Sequence, residues 1–331
     1  MFDKPIIVTG GAGAIGSRLV GELLRRGASG GKLTRSSRVV VVDDMSSGYE
    51  WLLPPNIMVF RKGIAGDLAD GGTWNIEHPT VFHLAAFFAN QNSVDHPQAD
   101  LVTNGSGTLS VLEWAEKWNA RRVIYTSAGC SIAGHDLPGP IREDAPVSLH
   151  LDTPYQITKA LGEFYCNYFH ARGLPTVRCR LFNSYGPGEV PGKYRNVIPN
   201  FIWEALHDRP LKITGTGLES RDFVYVGDIV DGLIRAAEAP EAVGRAINLG
   251  TGTRTTIGDL ARSIIEITGS KSTIEYAPRR TWDKATRREA DPSLAECILG
   301  WKAVTPLHVG LEETVRWMRD HSAQIAKSVG A

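Results

Sequence analysis

Cysteine is scarce in this chain of 331 residues: Cys130, Cys166, Cys179 and Cys297 stand far apart, with no Cys-x-x-Cys pair. That spacing excludes a disulfide-stapled scaffold and a thiolate zinc site, fits a reducing cytoplasm, and leaves no metal expected. Net charge is lacking too, because 36 Lys and Arg offset 36 Asp and Glu. With no excess of either sign, neither nucleic acid nor an anionic membrane is expected as a partner. Long apolar runs are also missing. The opening MFDKPIIVTGGAG stops its apolar run at glycines, so it reads as neither a signal peptide nor a span, and no other stretch reaches about eighteen apolar residues. Repeats and low-complexity segments are absent. What is present is 42% hydrophobic residues, enough for packed cores in one large and one small domain and suited to small-molecule chemistry.

Short apolar runs recur at Ile6 to Val8, Val39 to Val42, Val81 to Leu84, Val123 to Thr126 and Thr176 to Leu181. Between them Ala14 to Arg26, Leu101 to Trp118 and Tyr155 to His170 space their apolar residues by three and four, the helical period. Strand and helix in alternation predict a parallel sheet covered on both faces. After Leu181 the glycines and prolines of residues 186–192 interrupt the pattern, and helical stretches follow at Val197 to Leu206, Ile257 to Thr268 and Leu307 to Met318. Val226 to Ala237 and Ala246 to Leu249 read as returns to the sheet layer. The predicted division is therefore interleaved: residues 1–182 with 226–251, and a smaller lobe of 183–225 with 252–331.

The first run leads into Thr9-Gly10-Gly11-Ala12-Gly13-Ala14-Ile15-Gly16, which opens a helix. Glycines there allow a tight turn and bring backbone N–H groups to a pyrophosphate at the helix N-terminus, where the dipole favours negative charge. Gly10, Gly13, Ala14, Ile15 and Gly16 are the expected contacts. The second strand ends in Asp43-Asp44, which puts a carboxylate where it accepts both ribose hydroxyls and repels a 2′-phosphate, so NAD is the expected cofactor. Asp43 stands 27 residues beyond Gly16, against the usual gap of roughly 20, and Gly27 to Lys32 reads as the inserted loop. The fold class predicted is α/β, a Rossmann-type doubly wound parallel sheet with a smaller mixed α/β C-terminal lobe for the substrate.

Tyr155 and Lys159 lie one helical turn apart, so phenol and ammonium share a face. A tyrosine, with an ordinary pKa of about 10, becomes a base near neutrality only where positive charge favours its phenolate. Lys159 supplies one such charge and an oxidised nicotinamide another. Upstream, Thr126 and Ser127 end a strand with hydroxyls that can orient a substrate hydroxyl.

Taken together these residues resemble the extended short-chain dehydrogenase/reductases of the nucleotide-sugar epimerase/dehydratase family. The likeness runs nearly end to end through TGGAGAIG at 9–16, Asp43, His83-Leu84-Ala85-Ala86, Asn104 with Gly107-Thr108, Thr126-Ser127, Tyr155 and Lys159. It continues in Arg180-Leu181-Phe182-Asn183-Ser184-Tyr185-Gly186-Pro187, Arg221-Asp222-Phe223-Val224-Tyr225-Val226-Gly227-Asp228 and Leu299-Gly300-Trp301. The resemblance implies that Leu84, Ala85, Ala86 and Asn104 join the dinucleotide site, that Asn183 and Arg221 face a nucleotide diphosphate, and that Phe88, Arg195 and Arg288 add to the substrate site. It also implies a UDP-sugar as substrate and a homodimer formed through the Tyr155 helix and its neighbour, Asn104 to Trp118.

Two departures from the family pattern bear on the reaction. Counting along the strand makes Ala128 the catalytic-hydroxyl position, whereas matching the Ala-Gly that follows makes it Ser127; Ser127 is preferred, with Thr126 beside it. Gly63-Ile64-Ala65 replaces the family's Gly-Asp-Ile, so an adenine contact is missing or passes to Asp67. Members that eliminate water carry an Asp-Glu pair just after the catalytic hydroxyl, and decarboxylating members a Glu in the same turn. Here Ala128-Gly129 stands instead. The expected reaction is 4-epimerisation of a UDP-hexose or UDP-hexuronic acid through a transient 4-keto sugar, with a decarboxylase or 4,6-dehydratase as the alternative.

Overall fold

The structure, a computed structural model, describes residues 4–28, 39–66, 76–129 and 139–330. Asp67 and most of the inserted loop, residues 29–32, lie outside the described residues. Seven strands form one parallel sheet in the spatial order Ala246–Leu249, Thr176–Leu181, Arg122–Ser127, Thr80–His83, Ile6–Thr9, Val39–Val42, Met58–Phe60. The runs IIVT, VVVV and TVFH are buried at every position, as β-branched strands covered on both faces must be.

Alternate residues face opposite layers, following the two-residue period of a strand. Ile6, Val8, Val39, Val41, Phe82 and Ile124 pack with the helices Ala14–Ala28 and Val226–Glu238. Ile7, Val40, Val42, Val81, Val123 and Tyr125 pack with Gly107–Lys117 and Pro154–Ala171. The predicted Leu101 helix proves to be the continuation of Pro97–Asp100 through a wider π-helical stretch, Leu101–Ser106, into Gly107–Lys117. Of the two predicted returns to the sheet, Val226–Glu238 is a covering helix and Ala246–Leu249 the edge strand.

A separate hydrophobic cluster joins Val197–Leu206, Ile257–Thr268 and Leu307–Asp320. It holds up small strand pairs, among them Asn183–Tyr185 beside Phe223–Tyr225, and Ser220–Arg221 beside Arg287–Arg288. Among the described residues no helix is long and apolar enough to cross a membrane.

Candidate active site

In the sheet order, strands from residue 39 onward build to one side of Ile6–Thr9 and strands from residue 80 onward to the other. The carboxyl ends at such a reversal are where doubly wound folds take ligands. A cavity of about 480 Å³ opens there, and every element predicted to carry chemistry reaches it except those noted below.

Its floor is backbone. Gly10 has φ +69°, and a Cβ there would stand 2.5 Å from Ala85 N; at Gly16 a Cβ would meet Gly10 O at 2.1 Å. Gly13 is looser, its nearest neighbour at 3.3 Å. The turn is thus locked at its two ends by residues without side chains. Gly13, Ala14, Ile15 and Gly16 line the cavity, so the first turn of the Ala14–Ala28 helix presents its unpaired N–H groups to it. Beside them Asp43 accepts from Ala12 N and Met45 N, each at 2.9 Å. Burial pushes this carboxyl above its usual range, against the pull of those two N–H groups. Anion-binding amides next to a desolvated acid fit the diphosphate and ribose of a dinucleotide.

The next strand end is held by a neutral histidine. His83 lies between Thr9 Oγ1 at 2.8 Å and Thr108 Oγ1 at 3.0 Å. Burial, helped by the charge of Lys159, pulls its pKa down to about 3. Leu84, Ala85, Ala86 and Phe88 follow along the cavity wall. Asn104 stands behind that wall: its Oδ1 accepts from Phe87 N at 2.8 Å and its Nδ2 donates to Asp100 at 2.7 Å. Its contacts are therefore with the wall's main chain at Phe87 and with the Asp100 carboxylate, and it does not line the cavity.

Arg122–Ser127 brings the two candidate hydroxyls, and the structure separates them. Thr126 Oγ1 donates to His83 O at 3.0 Å, while Thr126 O accepts from Lys159 Nζ at 3.0 Å. Ser127 Oγ is buried with no hydrogen-bond partner among the described residues. A buried hydroxyl without a partner is costly unless a ligand satisfies it. Thr126 thus positions Lys159 through its carbonyl, and Ala128, the other counted position, offers only a methyl.

Thr153 caps the next helix by accepting from Gln156 N, Pro154 occupies the first turn, and Tyr155 N donates to Ser93 Oγ at 3.0 Å. The helix runs close to the sheet because Gly162 has no Cβ; one would stand 2.2 Å from the Tyr125 hydroxyl. Lys159 Nζ lies 5.8 Å from the centre of the Tyr155 ring, and the Phe88 ring meets that ring edge-on at 6.1 Å. Burial draws Lys159 down to about 8, with the charge of Asp100 pulling the other way.

The second lobe supplies the opposite wall. Asn183 lines it, with its Oδ1 buried and unpartnered among the described residues. Arg195, grouped with the substrate on the sequence reading, instead reaches across to Ser47 O at 2.7 Å, beside the glycine turn. Glu189, a buried acid that sequence reasoning missed, accepts from Asn196 Nδ2 at 2.9 Å, and burial raises it to about 7. It sits in an irregular segment where no periodicity marks a buried position.

Arg221 and Arg288 do not line this cavity. They are register neighbours on two short parallel strands. Arg221 Nη2 contacts Asp283 at 3.2 Å and Ala285 O at 3.3 Å. Asp222 turns inward to the main chain of Thr251, Gly252 and Ala290. Arg288 is buried with its Nε unpartnered among the described residues, as is Nε of Arg279, whose Nη2 donates to Ala285 O.

Comparison with known proteins places this geometry. The profile of the NAD dependent epimerase/dehydratase family matches residues 6–250. The UDP-glucose 4-epimerase of Mycolicibacterium smegmatis is 34% identical over 324 residues, 96% of this chain and 99% of that protein. The UDP-N-acetyl-alpha-D-glucosaminuronate decarboxylase of Bacillus cytotoxicus is 31% identical over 331 residues, with the same coverage. The solved structure of an epimerase from Methanothermobacter thermautotrophicus superposes with a TM-score of 0.92 at 44% identity, over 99% of this chain and 96% of that one. The glycine turn and the Tyr155 helix fall inside a match that spans most of the chain, and the chain accordingly belongs to the NAD dependent epimerase/dehydratase family.

Proposed function

We propose that this NAD-dependent enzyme inverts C4 of a nucleotide sugar, a UDP-hexose or UDP-hexuronic acid, through a transient 4-keto sugar. The observation that carries the reading is the buried Ser127 hydroxyl, unpartnered among the described residues, in the cavity with Tyr155 and Lys159 and followed by Ala128-Gly129, where neither residue is a carboxylate. Gly129 leaves no room for one: a Cβ there would stand 2.8 Å from Arg180 Cβ and from the Phe182 ring. Elimination calls for a further acid and base near the sugar. Among the described residues, the carboxyls that line the cavity lie by the glycine turn: Asp43 with its neighbour Asp44, and Glu189 next to Gly188, where a Cβ would be 3.1 Å from Ala14 O.

When bound, the nicotinamide supplies reversible hydride acceptance. Tyr155, as phenolate, takes the proton of the sugar 4-hydroxyl and later returns it. Lys159, held by Thr126 O, favours the phenolate. Ser127 holds the C4 oxygen, with Asn183 and Phe88 bordering the sugar. Arg221 and Arg288 bind the diphosphate, a remote anchor that stays put while the sugar turns. In this reading residues 1–182 with 226–251 hold the cofactor, and 183–225 with 252–331 the nucleotide sugar.

The enzyme acts as a homodimer in the cytoplasm. Supporting the dimer, Ile157, Phe164 and Tyr168 are exposed along one helix, as are Leu101 and Val102 on its neighbour. Supporting the location, Cys166, Cys179 and Cys297 are free thiols. The deciding experiment incubates the protein with UDP-glucose, UDP-galactose, UDP-glucuronate and their N-acetyl counterparts and identifies products by NMR. Interconversion of a C4 pair is expected. Loss of carbon dioxide or water would make it a lyase, and no conversion of any substrate would sink the reading.

A further inference from the structure

Residues 186–196 form an irregular segment that does more than connect. Gly188, with φ +105°, abuts the start of the Ala14–Ala28 helix, where a Cβ would lie 3.1 Å from Ala14 O and 3.6 Å from Ser17 Oγ. The segment is laced internally. Asn200 accepts from Gly192 N at 2.9 Å and donates to Gly192 O at 3.1 Å, while Glu189 holds Asn196. It is also tied at both sides of the cavity mouth. On one side Arg195 Nη2 donates to Ser47 O at 2.7 Å. On the other, Tyr194 OH donates to Asp95 at 2.9 Å, and Lys193 Nζ stands 3.3 Å from the same carboxylate.

Ser47 belongs to the loop after Asp43. That loop folds onto the glycine turn, because Tyr49 N donates to Ala12 O at 3.0 Å and Gly48 packs against Ala12. A guanidinium that reaches Ser47 from the second lobe therefore crosses in front of the helix N-terminus, at the level where a dinucleotide diphosphate sits. Arg195 lines the cavity, and among the described residues its guanidinium is hydrogen-bonded to protein through Nη2 alone. The nearby Glu189 is partly neutral around pH 7 because burial holds its proton on, so it does not fully cancel that cation.

We propose that residues 186–196 are a strap across the cofactor cavity and that Arg195 grips the dinucleotide diphosphate, making NAD a resident group rather than an exchanging one. This rests on the cofactor assignment alone and not on the identity of the sugar.

The test uses the full chain and measures the dissociation of NAD, scored by the dinucleotide retained through gel filtration and by the release rate of its fluorescent reduced form. Wild type is expected to retain NAD. Arg195→Ala should release it about tenfold faster or more, the scale of one charge-assisted hydrogen bond to phosphate. Its release should also lose part of the salt dependence shown by wild type. Arg195→Lys should recover part of the retention, and UDP affinity measured by calorimetry should be unchanged in both variants. Unchanged release in Arg195→Ala would overturn the proposal. So would weakened UDP binding with normal NAD release, which would return Arg195 to the substrate. Failure of the wild type itself to bind NAD would instead refute the cofactor assignment.

Discussion

The two walls of the cavity are built on opposite plans. The dinucleotide wall is made of main chain and short side chains at strand ends, where glycine contacts of 2.1 to 2.5 Å to an added Cβ leave no freedom. The second-lobe side relies on long guanidinium groups: Arg195 at the cavity reaches Ser47 O, and Arg221, outside the cavity, pairs with Asp283. A backbone-built site is fixed as soon as the sheet folds. An arginine-built site has rotamers to rearrange when a ligand arrives. The comparison teaches why one family can keep its cofactor while changing its sugar.

The largest expected effect falls where the walls meet. Tyr155→Phe should lower kcat by about 10²–10⁴-fold while NAD content and UDP affinity stay near wild type. Normal turnover would remove Tyr155 from the proton transfer. Next, rigidity of the dinucleotide wall predicts that Gly16→Ala, whose Cβ would stand 2.1 Å from Gly10 O, weakens NAD binding by about ten- to a hundredfold, whereas Gly13→Ala, tight against the same oxygen at 3.3 Å, costs less. Equal effects of the two would show that the turn adjusts after all.

On the arginine side, Arg221→Ala should weaken UDP about tenfold by calorimetry. Asp283→Asn should instead tighten it by up to about fivefold, because it removes the charge of a partly buried competitor for the guanidinium. A loss of affinity in the second variant would make Asp283 part of the site rather than its counter-ion. Smallest near neutrality is the pH effect. Lys159 is charged below about 8 and neutral above it, so kcat should decline as pH rises through that value, when the phenolate loses its supporting cation. A flat profile to pH 10 would place the controlling charge elsewhere.

The contrast between the walls also separates what the sequence disclosed from what it hid. Strand, glycine turn and strand-end acid are local in the chain, and a four-residue helical step puts Tyr155 and Lys159 together, so spacing alone located them. Matching the Ala-Gly that follows already preferred Ser127 to Thr126, but the contact that occupies the Thr126 hydroxyl, His83 O 43 residues away, was not legible in the sequence. Asn104 is a conspicuous motif residue, yet it proved to brace Phe87 from behind. Arg221 and Asp283 meet across 62 residues, and Arg195 and Ser47 across 148. Such pairs obey no period, and only tertiary packing brings them together. Glu189 was hidden for a related reason: charged residues are rarely buried, so an acid in a glycine-rich segment reads as surface.

The edge strand Ala246–Leu249 has a consequence for how such a protein is altered. It pairs along Arg178 to Leu181, after the chain has already visited the second cluster; the chain then leaves for Ile257–Thr268, returns to the sheet core at Ala295, Leu299 and Trp301, and leaves again for Leu307–Asp320. No single cut parts the lobes. A chimera made by joining two relatives at one crossover would inherit mismatched halves of both, and only an exchange of several separated segments would carry a specificity across intact.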